Sequence, residues 1–209
     1  MEEIIKKINR ELKKEELRTY IVSPLLKELA KENEKKASSN NKEELIDAYN
    51  IYVYIADVYT RMVRMSLSAI YRYKSLEVAA KLYKQYEFVP EYLANNYRML
   101  LRDRNFYIDD DAEDVLNLVK EVGFLPTEVV DTYYQAAIKR RRGLKNDPVE
   151  MSEEYLAVID EVEEKIAKNR TLFGMGACHE IWALKEQYLL EKGIIWKSPH
   201  MLNPGVMFD

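Results

Sequence analysis

The sequence predicts an all-α protein of about eight or nine helices, arranged as stacked antiparallel helical hairpins and closed by an irregular C-terminal tail packed on the body. Apolar residues recur at spacings of three and four, whereas no segment alternates apolar and polar residues as a half-buried strand does. Glycine, which weakens helices, is absent before Gly123. Both observations favour helices along nearly the whole chain.

Length and composition fit one globular domain. The chain has 209 residues, of which 47% are hydrophobic and 33% charged. We expect a single helical domain over residues 1–209, made of an N-terminal hairpin (1–41), a helical array (42–171) and a C-terminal helix with a capping tail (172–209). The 16 tyrosines suit thin helical layers, because a tyrosine can fill a core while its hydroxyl reaches water.

The first predicted elements form the N-terminal hairpin. Residues 2–18 place Ile5, Ile8 and Leu12 on one stripe, which predicts a first helix. Ser23 followed by Pro24 is typical of a helix start, so a second helix is predicted over residues 25–36. The polar run 37–41 predicts a loop.

A long helix is predicted to start near Lys42 and to be central in the domain, because it carries two apolar faces. One face has alternating spacings of four and three and consists of Leu45, Tyr49, Tyr52, Ala56, Tyr59 and Val63. The second face consists of Ile51, Ile55, Val58, Met62 and Met65.

The middle of the chain contains a near-repeat, since residues 75–110 align with residues 111–146 at an offset of 36. In both copies a helix ends near Glu87 or Gly123, a phenylalanine fills the corner and proline opens the next helix. The order of Gly123, Pro126 and Tyr133 resembles the tetratricopeptide and pentatricopeptide class of helical hairpin repeats. The resemblance implies stacked hairpins that bind proteins or, in the pentatricopeptide case, single-stranded RNA. Two amphipathic hairpins that are similar by chance are the alternative.

The last elements are marked by capping residues and turns. After a loop at 145–148, Ser152 starts a helix to about Asn169, with Leu156, Ile159, Val162 and Ile166 directed inward. Gly174 and Gly176 precede a helix over 177–192 that Gly193 caps. Ser198 and Pro199 open one further turn, and Pro204 with Gly205 fits a type II turn after Asn203. We expect the apolar end, Val206, Met207 and Phe208, to be held on the body.

Rare residue types are concentrated in residues 172–209, which hold the only cysteine, both histidines, both tryptophans and four of the six glycines. We interpret this segment mainly as a structural cap formed by Trp182, Trp196, Ser198, Pro199, Asn203, Pro204 and Phe208. Its pattern runs from Gly176, Cys178, His179 and Trp182 through Gly193, Ile194, Trp196, Ser198 and Pro199 to Asn203, Pro204, Phe208 and Asp209. This order resembles the end of a family of small uncharacterised bacterial proteins. The resemblance implies a bacterial, cytoplasmic origin and no particular activity.

Cys178, His179 and His200 are the candidates for catalysis in this segment. A helix start lowers a thiol's pKa, so Cys178 is a conceivable nucleophile with a histidine as base. Adjacent helical residues point about 100° apart, however, which favours His200 over His179 as that base. The alternative is a packed, unreactive cysteine. The same three residues with Asp209 are conceivable metal ligands, yet the paired spacing of zinc sites is missing, so we expect neither metal nor cofactor.

Charged runs point to surface roles. Residues 139–142 form a basic run that either complements a helix end or, through Arg140, Arg141 and Arg142, contacts RNA. The net charge of −4 and pI near 5.5 argue against a mainly electrostatic nucleic-acid binder. The acidic run 109–111 with Glu113 and Asp114 lacks the central glycine of a calcium loop and is better explained as a helix start.

The leading functional hypothesis is a non-catalytic binding or scaffold protein that takes a protein or peptide partner on its hairpin surface, with Tyr92 and Tyr97 as contacts. An RNA-binding helical repeat using Arg140, Arg141 and Arg142 is one alternative. An enzyme or metal site at Cys178, His179 and His200 is the other. The absence of a signal peptide, of a long apolar run and of a second cysteine predicts a cytoplasmic protein without a membrane partner.

Overall fold

A computed structural model describes residues 1–14, 17–104 and 144–208. These residues contain eight α-helices, one 3-10 turn and no strand, which confirms the all-α prediction of about eight helices. The helices are α1 (Glu2–Glu11), α2 (Thr19–Ala37), α3 (Lys42–Arg61), α4 (Met65–Tyr86), α5 (Leu93–Arg104), α6 (Glu153–Asn169), α7 (Ala177–Glu191) and α8 (Pro199–Leu202). No helix among the described residues has the length and apolar character needed to cross a membrane.

The chain divides into two compact units. Unit 1 comprises Met1–Leu17 and Leu25–Gly143, and unit 2 comprises Arg18–Pro24 and Leu144–Asp209. Unit 2 is therefore discontinuous in sequence. Its two parts meet where the Thr19 hydroxyl donates to the Glu163 carboxylate. The single domain expected from the sequence stays a prediction.

The first helix is shorter than predicted, since α1 ends at Glu11 instead of Arg18. Ile4 and Ile8, one helical turn apart, are buried, and Ile5 is half-buried. The Lys14 amide donates to the Glu11 carbonyl at 3.1 Å, which forms a turn after the helix. Lys13 and Lys14 follow the helix, so the apolar stripe of α1 is not continued there.

The predicted start of the second helix is wrong. Helix α2 begins at Thr19, so Ser23 and Pro24 lie inside it. A proline removes one helical hydrogen bond, here the bond to the Tyr20 carbonyl, because Pro24 lies in the second turn of α2. Burial outweighs this cost, because Val22 and Leu26 are both fully buried.

Helix α3 has the two apolar faces predicted for it. The Asn41 side chain caps its start by accepting the Glu44 amide at 3.0 Å, as a helix beginning near Lys42 requires. Its buried residues come from both faces and are Leu45, Ala48, Tyr49, Tyr52, Ile55, Ala56, Val58 and Tyr59. Val63, predicted on the first face, is instead 76% exposed, because it lies beyond the helix end with a φ of 58°. Met65, predicted on the second face, is the first residue of α4.

A buried polar network joins α3, α4 and α5. Arg72 on α4 is 1% exposed and donates to Asp57 at 2.7 Å, to Thr60 at 3.2 Å and to Asn96 at 3.0 Å. The Asn96 side chain donates in turn to the Ser75 hydroxyl at 2.6 Å. A charge can be buried at low cost only when its donors are satisfied, as they are here.

The first copy of the near-repeat is a helical hairpin. Helix α4 ends where predicted, with Glu87 in the left-handed region at a φ of 50°. The next helix does not open at Pro90, because Tyr92 has a φ of 60° and α5 begins at Leu93. Phe88 is half-buried at the corner, beneath the Lys42 ammonium at 4.6 Å. The second copy lies outside the described residues, so the repeat itself stays a prediction.

Unit 2 is built on α6 and α7. The Ser152 hydroxyl accepts the Tyr155 amide at 3.2 Å and starts α6, as predicted. The core consists of Tyr155, Ile159, Val162, Ile166, Leu189, Ile194 and Trp196. Helix α7 ends at Glu191, and Gly193 with a φ of 78° closes it: the Ile194 amide donates back to Leu189 at 2.9 Å. The tail after Gly193 thus begins inside the core.

Candidate functional site

Trp196 anchors the C-terminal tail in unit 2. Its side chain is 3% exposed, and its indole nitrogen donates to Glu150 Oε1 at 2.8 Å. The Lys185 ammonium lies 3.3 Å from the same oxygen and 4.4 Å from the centre of the indole ring. The tryptophan therefore combines apolar burial with a satisfied polar edge, and the cap role expected from the sequence stays a prediction.

Asn203 connects the tail to Lys145, near the beginning of the longer segment of unit 2. Its side chain accepts the Lys145 amide at 2.7 Å and donates to the Lys145 carbonyl at 2.9 Å. The Ser198 hydroxyl starts α8 by accepting the Met201 amide at 3.4 Å. Gly205, with a φ of 94°, and the Val206 amide, which donates to Asn203 at 3.1 Å, form the turn expected at Pro204.

Four aromatic rings meet at the start of α7. The ring of His179 lies 5.4 Å from Trp182 and 5.7 Å from His200, and both contacts are edge to face. Phe208 closes the group at 5.0 Å from Trp182 and 6.1 Å from His200. The structure therefore brings together the two histidines that the sequence singled out. Both imidazoles are exposed, and His179 Nε2 lies 3.3 Å from the Phe208 carbonyl oxygen.

The imidazole rings of His179 and His200 mainly pack against neighbouring aromatic rings. Cys178 is half-buried and precedes His179 on the first turn of α7. Neighbouring positions on a helix face different directions, so the thiol and the His179 ring do not share one face. Within the described part of the chain, no three side chains of histidine, cysteine, aspartate or glutamate are grouped to hold a metal ion. Asp209, the fourth conceivable ligand, lies outside that part.

Apolar side chains are exposed around the same aromatic group. Loop 170–176 leads directly into α7, and the tail lies beside the first turn of α7 through the contact between His179 and Phe208. We define the apolar patch as the five side chains at this end of unit 2 that are more than half exposed. They are Leu172 (51%), Phe173 (69%), Met175 (89%), Met201 (55%) and Met207 (91%).

The loop that carries three of the five residues of the apolar patch is held by Glu180. Its carboxylate accepts the Thr171 amide at 2.9 Å, the Thr171 hydroxyl at 2.7 Å and the Leu172 amide at 2.6 Å. These hydrogen bonds, the one from the Thr171 side chain foremost, lower the pKa of Glu180. The Arg170 guanidinium lies 4.6 Å from the centre of the Phe173 ring. The exposed side chains of this loop are therefore attached to a backbone that is held by hydrogen bonds to Glu180.

The predicted binding residues are placed very differently. Tyr92 is 77% exposed and has a φ of 60°, an uncommon conformation for a tyrosine. Tyr97 is 1% exposed, so the surface contact expected there is corrected to a core position: its ring lies on the inward face of α5. Arg140, Arg141 and Arg142 lie outside the described residues, as do the acidic residues at 109–114.

Unit 1 contains a pocket that sequence reasoning missed. It has a volume of about 420 Å³ and lies among α2, α3 and α4. Its polar lining residues are Glu34, Ser38, Tyr52, Lys74, Glu77 and Lys81. The sequence does contain the α4 part of this lining as a pattern, because Lys74, Glu77 and Lys81 are three and four residues apart and share one helix face. The contributions of α2 and α3 depend on tertiary packing.

Comparisons with known proteins find no matching family model, no matching curated protein and no matching solved structure. The resemblances of the near-repeat and of the C-terminal segment therefore stay predictions, and function has to be argued from the geometry.

Proposed function

We propose that this protein is a non-catalytic binding protein that presents the apolar patch of unit 2 to a protein or peptide partner. One observation carries the proposal: five apolar side chains, each more than half exposed, lie in the loop that leads into α7 and in the tail that contacts the first turns of α7. Single exposed apolar residues are ordinary, whereas a group of them marks an interaction surface.

The composition of the apolar patch supports a protein or peptide as partner. It contains one phenylalanine and three methionines, and both residue types are enriched at protein interfaces. Methionine is unbranched and adaptable, so it can fit an apolar segment of varied shape. The neighbouring rings of Trp182 and Phe208 are half-buried and extend the apolar surface.

Preorganisation also supports a binding role. Glu180 fixes residues 171 and 172 by hydrogen bonds, and Asn203 ties the tail to Lys145. A surface that is already ordered loses less conformational entropy when a partner binds. The energy of apolar contact, about 25 cal/mol per Å² of buried area, then contributes more fully to affinity.

The alternatives have less support. The RNA-binding hypothesis depends on Arg140, Arg141 and Arg142, which lie outside the described residues. A catalytic site at Cys178 would need a base directed at its sulfur, whereas the His179 ring packs on Trp182 and His200.

Peptide phage display on the full-length protein tests the proposal. We expect enrichment of peptides with apolar anchor residues. The double variant Phe173→Ser, Met207→Ser should bind these peptides with an affinity lower by ~10-fold or more, because it lacks two interface anchors. Ile195→Ser is the matched control, because Ile195 is 76% exposed in the same unit but outside the apolar patch. Equal binding to both variants, or no enriched peptide, would overturn the proposal.

A further inference from the structure

We propose that the pocket of unit 1 binds a small organic ligand bearing a primary ammonium group, held by the Glu77 carboxylate and the Tyr52 hydroxyl. The pocket belongs to a different unit from the apolar patch, so this inference is independent of the proposed function. Its volume of about 420 Å³ is within the range of small-molecule sites, roughly 300–1,000 Å³.

The hydrogen-bond donors that line the pocket are already engaged. Lys81 donates to the Ser39 carbonyl at 2.6 Å, and the Ser38 hydroxyl donates to the Glu34 carbonyl at 2.8 Å. Lys74 lies 3.5 Å from the Glu34 carboxylate and 5.9 Å from the centre of the Tyr52 ring. An anionic ligand would have to compete with these partners.

Two acceptors in the pocket are unused. Within the described part of the chain, neither the Glu77 carboxylate nor the Tyr52 hydroxyl has a hydrogen bond, and Glu77 has no ion pair. Tyr52 is 3% exposed and lines the pocket. Its ring is buried, but its hydroxyl is not among the buried polar atoms that lack a partner, and Glu77 is an exposed carboxylate, so both oxygens are accessible to a ligand that donates N–H hydrogen bonds.

Glu34 and Glu77 bring negative charge to the pocket, and the two ammonium groups that also line it, those of Lys74 and Lys81, already have the partners named above. Burial raises the pKa of Tyr52 to about 12, and the negative charges of Glu34 and Glu77 add to this effect. The carbonyl end of α2 at Ala37, another lining residue, adds a partial negative charge. Partial burial also raises the pKa of Glu77, an effect that Lys74 opposes. An ammonium group supplies the positive charge and the N–H donors that both acceptors lack.

Titration of the full-length, ¹⁵N-labelled protein with butylamine tests the inference. We expect saturable chemical-shift changes at backbone amides that line the pocket, such as those of Ser38 and Val78. 1-Butanol has a similar chain without the charge, and butyltrimethylammonium keeps the charge without N–H donors. Both should bind more weakly than butylamine, because each lacks one of the two required properties.

Conservative variants complete the test. Glu77→Gln removes the charge and should weaken butylamine binding by ~10-fold or more, and Tyr52→Phe removes only the hydroxyl and should weaken it by about 3-fold or more. Glu28→Gln is the matched control, because Glu28 is an exposed carboxylate on α2 that does not line the pocket. Unchanged binding by Glu77→Gln, equal loss with Glu28→Gln, or equal binding of 1-butanol would overturn the inference, as would the absence of saturable shifts.

Discussion

The Arg72 guanidinium donates to the Asn96 side-chain oxygen at 3.0 Å, and both residues are buried, at 1% and 2% exposure. This bond and the one from Asn96 to Ser75 join α4 and α5 within the polar network of unit 1. We expect Arg72→Met to lower the free energy of unfolding by about 2 kcal/mol, because it leaves Asn96 and Thr60 short of buried partners. Urea denaturation measures the change.

Arg61→Met is the control for that prediction, because Arg61 is an exposed residue in the last turn of α3. Its effect should stay within about 0.5 kcal/mol. Equal destabilisation by the two variants would show that the buried network contributes nothing beyond a surface charge.

Replacing Trp196 should destabilise unit 2. Trp196→Ala removes a side chain that is 3% exposed and leaves Glu150 without its indole donor. Loss of a buried tryptophan costs about 3 kcal/mol or more, so thermal unfolding should occur at a clearly lower temperature. Ile195→Ala, one residue earlier at 76% exposure, should leave the midpoint almost unchanged. Deletion of residues 196–209 should lower the midpoint as well, and an unchanged value would contradict the anchoring role of the tail.

The order of loop 170–176 should depend on the ionisation of Glu180. The pKa of Glu180 is lowered from 4.5 by its hydrogen bonds to Thr171 and Leu172, so the folded state favours the carboxylate. Its contribution is therefore complete above pH 4.5 and is lost as the pH falls through the lowered value. The protection of the Leu172 amide against hydrogen exchange, relative to its intrinsic rate at each pH, should fall in that acidic range.

Glu180→Gln should reduce the protection of the Leu172 amide in the same way at neutral pH, because an amide side chain is a weaker acceptor and offers only one oxygen. Glu186→Gln, an exposed position on the same helix, serves as its control. If the protection of the Leu172 amide changed neither with pH nor in the Glu180→Gln variant, Glu180 would not be what holds loop 170–176.

Three tyrosines of unit 1 should make stability decline in alkali. Burial raises the pKa of Tyr49, Tyr52 and Tyr71 to about 12 from 10.0. A raised pKa in the folded state gives stability that is present below pH 10 and is lost as the pH rises towards 12. Urea midpoints measured across this interval should fall. The decline should be shallower for Tyr49→Phe, and a midpoint independent of pH would contradict the burial of these hydroxyls.

The features that the sequence predicted well are those that a few consecutive residues determine. Asn41, Ser152 and Ser198 each cap a helix through their own side chain, and Gly193 ends one because it adopts a positive φ. The continuation of α2 through Pro24 could not be predicted in this way. Its local penalty competes with the burial of side chains whose neighbours come from elsewhere in the chain.

The candidate sites show the same division. The proximity of His179 and His200 depends on where the tail turns after Trp196, which no local pattern determines. The pocket needs side chains from three helices, of which only the α4 face was visible as a pattern. Tyr97 was placed at the surface because its hydroxyl permits that, whereas its position on α5 is inward.

The discontinuity of unit 2 has a consequence for the order of events during synthesis. Thr19 meets Glu163 across 144 positions, so the segment Arg18–Pro24 leaves the ribosome long before its partners exist. At about 5–20 residues per second, the delay is roughly 7–30 s. During that interval Val22, fully buried in the finished protein, has no completed unit to enter. Residues from the beginning of the chain therefore take their final places only after most of it has been translated.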